Sequence, residues 1–205
     1  MARKKKIPYD AIVIGTSAGG LDALGILLPA LNAHLPVPVL IVQHISATSD
    51  SFIITYFDRL CSLAVKEAEE KEQLKAGVVY FAPPDYHLLV ETDRTTSLTN
   101  EEKVNYSRPS IDVLFETAAW AFKERLIGII LTGANWDGAA GSEIIKKNGG
   151  LIIVQDPATA AVSRMPEAVI ARIKPDQILQ IEEIGPFLNS LFFPTPTQSL
   201  PEVSS

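Results

Sequence analysis

"AIVIGTSAGGLDAL", Ala11 to Leu24, joins an apolar run of the buried type to a Gly-rich turn and the start of a helical pattern. That strand-turn-helix layout serves two chemistries, a loop that cradles phosphate and an elbow that presents a serine nucleophile. Glycine spacing separates them. A dinucleotide fingerprint needs G-x-G-x-x-G, and Gly15, Ser17 and Gly20 place a serine where the second glycine must let backbone approach a pyrophosphate. A P-loop needs a Lys before Ser or Thr, and this turn has none. Gly15-Thr16-Ser17-Ala18-Gly19 does fit G-x-S-x-G, with small neighbours that leave Ser17 open at the carboxyl end of a strand. The amides after Ser17 open a helix, and free N–H groups with a partial positive charge suit a developing oxyanion. A second reading stays open, in which the turn is a plain connection and Ser17 only caps the helix.

Outward from this turn the same punctuation recurs. Apolar runs suited to buried parallel strands lie at Ala11 to Ile14, Val37 to Val42, Val78 to Ala82, Leu126 to Leu131 and Leu151 to Val154. Helical patterns lie at Leu21 to Leu31, at Ser51 to Leu60 behind a Ser49/Asp50 cap, at Ile111 to Phe122 behind Pro109, and at Gly138 to Asn148 closed by Gly149-Gly150. Leu88 to Thr92 and Ser97 to Thr99 read as a small hairpin. The expected architecture is α/β: a doubly wound, mostly parallel sheet with helices on both faces and a small antiparallel hairpin at its edge. One domain is expected over residues 9–193, between a basic tail at 1–8 and a Pro/Ser/Thr-rich tail at 194–205 with no periodicity.

The chain has 205 residues, 47% of them hydrophobic, enough for one full core. Its formal net charge of -6 argues against general affinity for nucleic acid, which rests on clustered Lys and Arg. Cys61 is the only cysteine, which excludes an internal disulfide and fits a reducing, cytoplasmic setting. It ends an apolar helical pattern, where a small buried hydrophobe is the expected role. No apolar run approaches a membrane span of roughly 20 residues, so no membrane insertion is expected.

A serine hydroxyl is a weak nucleophile without a base, and the sequence offers three histidines. His34 lies between a helix and a strand, on the amino-terminal side of the sheet. His44 follows "PVLIVQ" directly and leaves the same carboxyl edge as Ser17, from the next strand. His87 precedes the hairpin, close to that edge. For the carboxylate, "LIGIILTGANWDGAAG" repeats the first turn's arrangement, with Asp137 just ahead of a helix. Asp137 reads either as an N-cap or as the group that orients an imidazole. Ser17, His44 and Asp137 in that chain order differ from the Ser, Asp, His order of α/β-hydrolases, so the motif does not announce that fold.

These residues resemble the catalytic domain of the CheB-type chemotaxis methylesterases. The blocks are "IGTSAGG" at Ile14 to Gly20, "VQHIS" at Val42 to Ser46, "VKEAEE" at Val65 to Glu70, "VVYFAPPDYH" at Val78 to His87, "SRPSIDVLF" at Ser107 to Phe115 and "LTGANWDGAAG" at Leu131 to Gly141. The resemblance implies a Ser17 nucleophile, a His44 base and an Asp137 that orients it. The implied reaction is hydrolysis of glutamate γ-methyl esters on chemotaxis receptors, with deamidation of receptor glutamine as a related activity, and no metal or organic cofactor. It also implies oxyanion donors at the Ala18 and Ala134 amides. Where the family often has Met-Gly this chain has Ala134-Asn135, and Asn tolerates the positive φ such a turn can use. Trp136 replaces a small or polar residue and reads as a rim of the substrate groove or as packing on a loop. Arg108 reads as a contact to a receptor helix or as a salt bridge at a helix start. The stretch from Ser46 to Thr55 is longer than in well-known members, an extension expected to reshape the mouth. Those members also carry an N-terminal receiver domain, and none precedes the first strand here. Two rival readings are a small-molecule carboxylesterase with the same triad and a non-enzymatic anion-binding module.

Overall fold

The computed structural model describes residues 9–44 and 52–194. The first strand, β1 (Ala11–Thr16), leads through Ser17 into α1 (Gly20–Leu27), then β2 (Val39–Gln43), α2 (Phe52–Leu60), β3 (Ala64–Glu67) and β4 (Val78–Phe81). The hairpin β5 (His87–Val90) and β6 (Thr96–Thr99) precedes α3 (Ile111–Phe122) and β7 (Leu126–Ile130). The chain closes with α4 (Ala139–Lys147), β8 (Leu151–Gln155), α5 (Arg164–Arg172), β9 (Gln177–Leu179) and α6 (Ile181–Phe192).

Seven strands form one parallel sheet in the order β3-β4-β2-β1-β7-β8-β9. Both faces are covered, which is why its strands read as unbroken apolar runs rather than alternating ones. Ala11 and Val13 face the side packed by α3, α4 and α5, while Ile12 and Ile14 face α1, α2 and α6. The chain adds strands on one side of β1, then crosses to place β7 on its other side. The gap between β1 and β7 is therefore the topological switch point, beyond whose carboxyl end ligands bind in open α/β sheets. Thr16 is paired with Gln43 and Gly15 with Ile130, so the three chains leaving β1, β2 and β7 emerge level with one another.

The helices at α1, α3 and α4 and the five core strands fall where the apolar pattern places them. Four elements have no counterpart in that pattern. β3 and β9 are short, partly exposed edge strands, α5 carries Pro166 in its first turn, and α6 has Pro186 inside it. β3 changes the place of the hairpin. Because β3 occupies the sheet edge beside β4, β5 and β6 pair only with each other, as a separate two-stranded sheet. The hairpin is held by α3 instead, through buried Leu88 and Val90 and a Val90 N–H bond to Thr117 Oγ1 of 3.1 Å. The Ser49/Asp50 cap, the basic run and the C-terminal tail beyond Pro194 lie outside the described residues. No described helix is long and apolar enough to cross a membrane.

One close approach fixes α3 against the central strand. A Cβ on Gly15 would stand 2.3 Å from Cγ2 of Ile111, the first residue of α3. Overpacking of this kind costs about 1–3 kcal/mol, so Gly15→Ala is expected to lower the thermal midpoint by several degrees in a calorimetric melt.

Candidate active site

Ser17 leaves β1 with its backbone held on two sides. Its N–H donates to Thr132 O at 3.0 Å, beyond β7, and its carbonyl accepts from Gly20 N–H at 2.8 Å and from Gln43 Nε2 at 3.0 Å. Gly19 takes φ 77°, and a Cβ there would lie 2.6 Å from Ala161 Cβ, so both conformation and space demand the glycine that ends G-x-S-x-G. Ser17 Oγ has no hydrogen-bond partner among the described residues, and the Ala18 and Ala134 amides likewise donate to none of them.

His44 steps off β2 with its N–H on Thr16 O at 3.0 Å. Gln43 is nearly buried, and the same Nε2 that reaches Ser17 O also donates to His44 O at 2.9 Å. One amide group thus ties the serine turn to the histidine backbone. The ring turns Nε2 to Asp137 Oδ2 at 2.8 Å, which leaves Nδ1 as the nitrogen not engaged by the carboxylate.

Asp137 is fully buried and accepts five hydrogen bonds. Besides His44 Nε2, the donors are Asn105 Nδ2 (2.9 Å), Ser110 Oγ (2.9 Å), Ile111 N–H (2.7 Å) and Asp112 N–H (3.1 Å). It does not cap its own helix. Gly138, at φ 95°, precedes α4 with no side-chain cap, and the Asp137 carboxylate caps α3 instead. The exchange is mutual, because Asp112, in the first turn of α3, accepts the Gly141 N–H of α4 at 2.7 Å. Asn105 Nδ2 sits between the two acids, 2.7 Å from Asp112 Oδ2.

These contacts set opposite proton affinities. Burial alone would raise the Asp137 pKa, but hydrogen bonds from His44, Asn105 and the Ile111 amide, with the His44 charge, outweigh it and hold the carboxyl below its ordinary value. Asp112 goes the other way: burial raises it first, with the Asp137 charge adding, against the Gly141 amide and Asn105.

The other candidates have structural surroundings. His87 is buried, accepts Ser110 N–H at Nδ1 (3.1 Å) and faces Glu102 O with Nε2 (3.1 Å), so Nε2 carries the proton. His34 is exposed in the loop before β2. Burial, with the Asp58 charge adding, pushes the Cys61 thiol up to about 11, which leaves it inert as a nucleophile. Arg108 gives four hydrogen bonds within the chain, two to Asp85 Oδ1 and one each to Asn100 O and Glu101 O. Its ion pair is with Asp85, in the loop before β5. Asn135 does not use a left-handed conformation; its Oδ1 accepts Asp137 N–H at 3.2 Å. Trp136 is half-exposed. Among the described residues no cluster of His, Cys, Asp and Glu could hold a metal ion. Gln43, Asn105 and Ser110 carry no local signal of these roles, because their bonds to Ser17 and Asp137 span 26 or more positions.

An open parallel α/β sheet with a serine turn, a histidine and a buried aspartate along its switch-point edge has the layout of a serine hydrolase. Comparison with known proteins narrows that class. Residues 12–188 match the family model described as CheB methylesterase. A Leptospira interrogans protein is 53% identical over 86% of this chain and 92% of its own length, and is provisionally named protein-glutamate methylesterase/protein-glutamine glutaminase. A Caulobacter vibrioides protein-glutamate methylesterase/protein-glutamine glutaminase 2 is 37% identical over 89% of this chain but 54% of its own length. The crystal structure of the Thermotoga maritima CheB methylesterase catalytic domain superposes with a TM-score of 0.85 at 34% identity, covering 89% of this chain and 98% of that one. The chain belongs to the CheB methylesterase family.

The depressed Asp137 carboxyl gives a stability signature. A folded pKa below the unfolded value, about 3.9 for Asp, contributes stability that is present above that value and lost as pH falls through the folded one. Thermal melts of wild type and Asp137→Asn are expected to differ most near neutrality, and the gap is expected to narrow as the pH drops below about 4.

Proposed function

We propose that the protein hydrolyses γ-methyl esters of glutamate side chains on a protein substrate, a methyl-accepting chemotaxis receptor, releasing methanol and restoring the carboxylate. The observation that carries this reading is the 2.8 Å contact between His44 Nε2 and buried Asp137, set on the sheet edge that also carries Ser17. The names of the relatives agree with it.

In this reading Asp137 accepts a hydrogen bond from the Nε2–H of His44 and fixes the tautomer in which Nδ1 is basic. The base is thus the opposite nitrogen from that in chymotrypsin-type sites, where the aspartate holds Nδ1. Nδ1 takes the Ser17 proton as Oγ attacks the ester carbonyl, and the imidazolium that forms is stabilised by the Asp137 charge. The Ala18 and Ala134 amides supply the oxyanion donors. His44 protonates departing methanol, then activates the water that clears the acyl-enzyme. Glutamine deamidation follows the same steps with ammonia leaving. Neither reaction asks for a metal or an organic cofactor. Trp136 borders the substrate groove, and Arg108, tied to Asp85, shapes the loop beside it.

A small-molecule carboxylesterase would share every step, so substrate choice tests the reading. Methylated receptor membranes are expected to yield methanol with wild type and none with Ser17→Ala, and Ser17→Ala is expected to lose labelling by a serine-directed phosphonate. Preference for p-nitrophenyl acetate with no methanol from receptor would favour the small-ester enzyme. Asp137→Asn is expected to reduce turnover by about 10⁴ through the wrong tautomer; steady-state kinetics with near-normal turnover would remove Asp137 from the mechanism.

A further inference from the structure

Val104, Asn105, Tyr106 and Ser107 form a two-residue hairpin turn. Val104 and Ser107 pair as an antiparallel bridge, with Ser107 N–H donating to Val104 O at 2.9 Å and Val104 N–H to Ser107 O at 3.2 Å. Both central residues have positive φ, 51° at Asn105 and 63° at Tyr106. That is the requirement of a type I′ turn, whose preferred pair is Asn-Gly. Asn105 suits the first place, and its side chain is engaged by Asp137 and Asp112. Tyr106 stands where glycine belongs. A bulky L residue is strained in that region, and no hydrogen bond or ring contact to a described residue offsets it: Tyr106 is 87% exposed.

The strained turn adjoins the candidate catalytic centre. Asn105, one residue before Tyr106, bonds the Asp137 carboxylate, and Ser107, one residue after, has its Oγ 3.5 Å from Asn135 Nδ2. Asn135 in turn precedes Trp136, itself 47% exposed. Two solvent-facing aromatic residues thus stand on adjoining loops joined through the residues that hold Asp137. Strain kept at such a place, with no contact among the described residues to repay it, points to a role outside the chain.

We infer that Tyr106, together with Trp136, contacts the protein substrate, its ring lying against the polypeptide that flanks the modified glutamate. An aromatic ring supplies a large rigid contact at small entropic cost. The inference rests on the proposed ester-hydrolase reading and deepens it, because such a contact separates a protein substrate from a small ester that ends at the reacting carbonyl.

Tyr106→Gly tests it, since this variant restores Asn-Gly and relieves the backbone. The thermal midpoint is expected to rise by roughly 2–4 °C, while KM for methylated receptor membranes, followed by methanol release, rises about tenfold. The loss is expected in KM rather than kcat, and Tyr106→Phe, which keeps the ring, is expected to restore KM. A higher midpoint with unchanged KM overturns the inference. So does a lower midpoint, which would make the ring a structural element of the turn. A sedimentation change from dimer to monomer in Tyr106→Gly also overturns it, by assigning the ring to a contact between copies of this chain. Wild type that releases no methanol overturns the ester-hydrolase reading itself and this inference with it, whereas wild-type release with an unaltered variant overturns the inference alone.

Discussion

A buried carboxylate at the amino end of a helix organises this molecule. Asp137 is surrendered by the helix it precedes and given to α3, where two backbone amides, a serine hydroxyl and an asparagine amide converge on it. An ionised acid removed from water needs such a set of donors, and a helix N-terminus adds favourable potential. The imidazole of His44 completes the set from the far side of the sheet edge. The negative charge is thereby fixed in position, as the orienting role proposed for it requires. Asp112 mirrors the arrangement toward α4, so α3 and α4 are joined by exchanged caps as well as by packing.

The sheet order makes that exchange possible. β1 and β7 are adjacent although far apart in sequence, and the loops after them carry Ser17 and Asp137 from either side of the switch point. β2, on the other flank of β1, delivers His44 at the same level. Three loops from neighbouring strand ends meet without any of them crossing the sheet. Thr132 reinforces the meeting: its carbonyl receives the Ser17 amide and the Thr16 hydroxyl, and its own hydroxyl reaches Ala18 O at 2.8 Å.

Much of this was legible in the chain. The buried strands announce themselves as apolar runs, and the G-x-S-x-G turn, His44 after "LIVQ" and Asp137 ahead of a Gly-rich helix start are all readable as strand-end residues. Less legible were elements whose signal is weak on its own. β3 and β9 are three or four residues long, with one or two polar residues each, and prolines in α5 and α6 disturb the helical pattern. Asp137 does cap a helix, but the preceding one, α3, rather than the α4 it adjoins. Nothing local could reveal this, because Gln43, Asn105 and Ser110 acquire their roles only when distant segments are folded together. The hairpin stands apart from the main sheet because β3, whose own signal is weak, occupies the edge beside β4.

The near-contact of Gly15 with Ile111 has a bearing on how such a sequence can change over generations. Ile111 contributes its amide to Asp137 and its side chain to the face of β1 one residue short of Thr16 and two short of Ser17. The serine turn and the aspartate cap therefore share a single residue, and volume added at one is felt at the other. Among descendants of this chain, positions 15 and 111 should drift as a pair, a larger residue at the first tolerated only beside a smaller one at the second. The glycine that opens the serine motif is in this sense an inheritance of the helix packed against it as much as of the chemistry beside it.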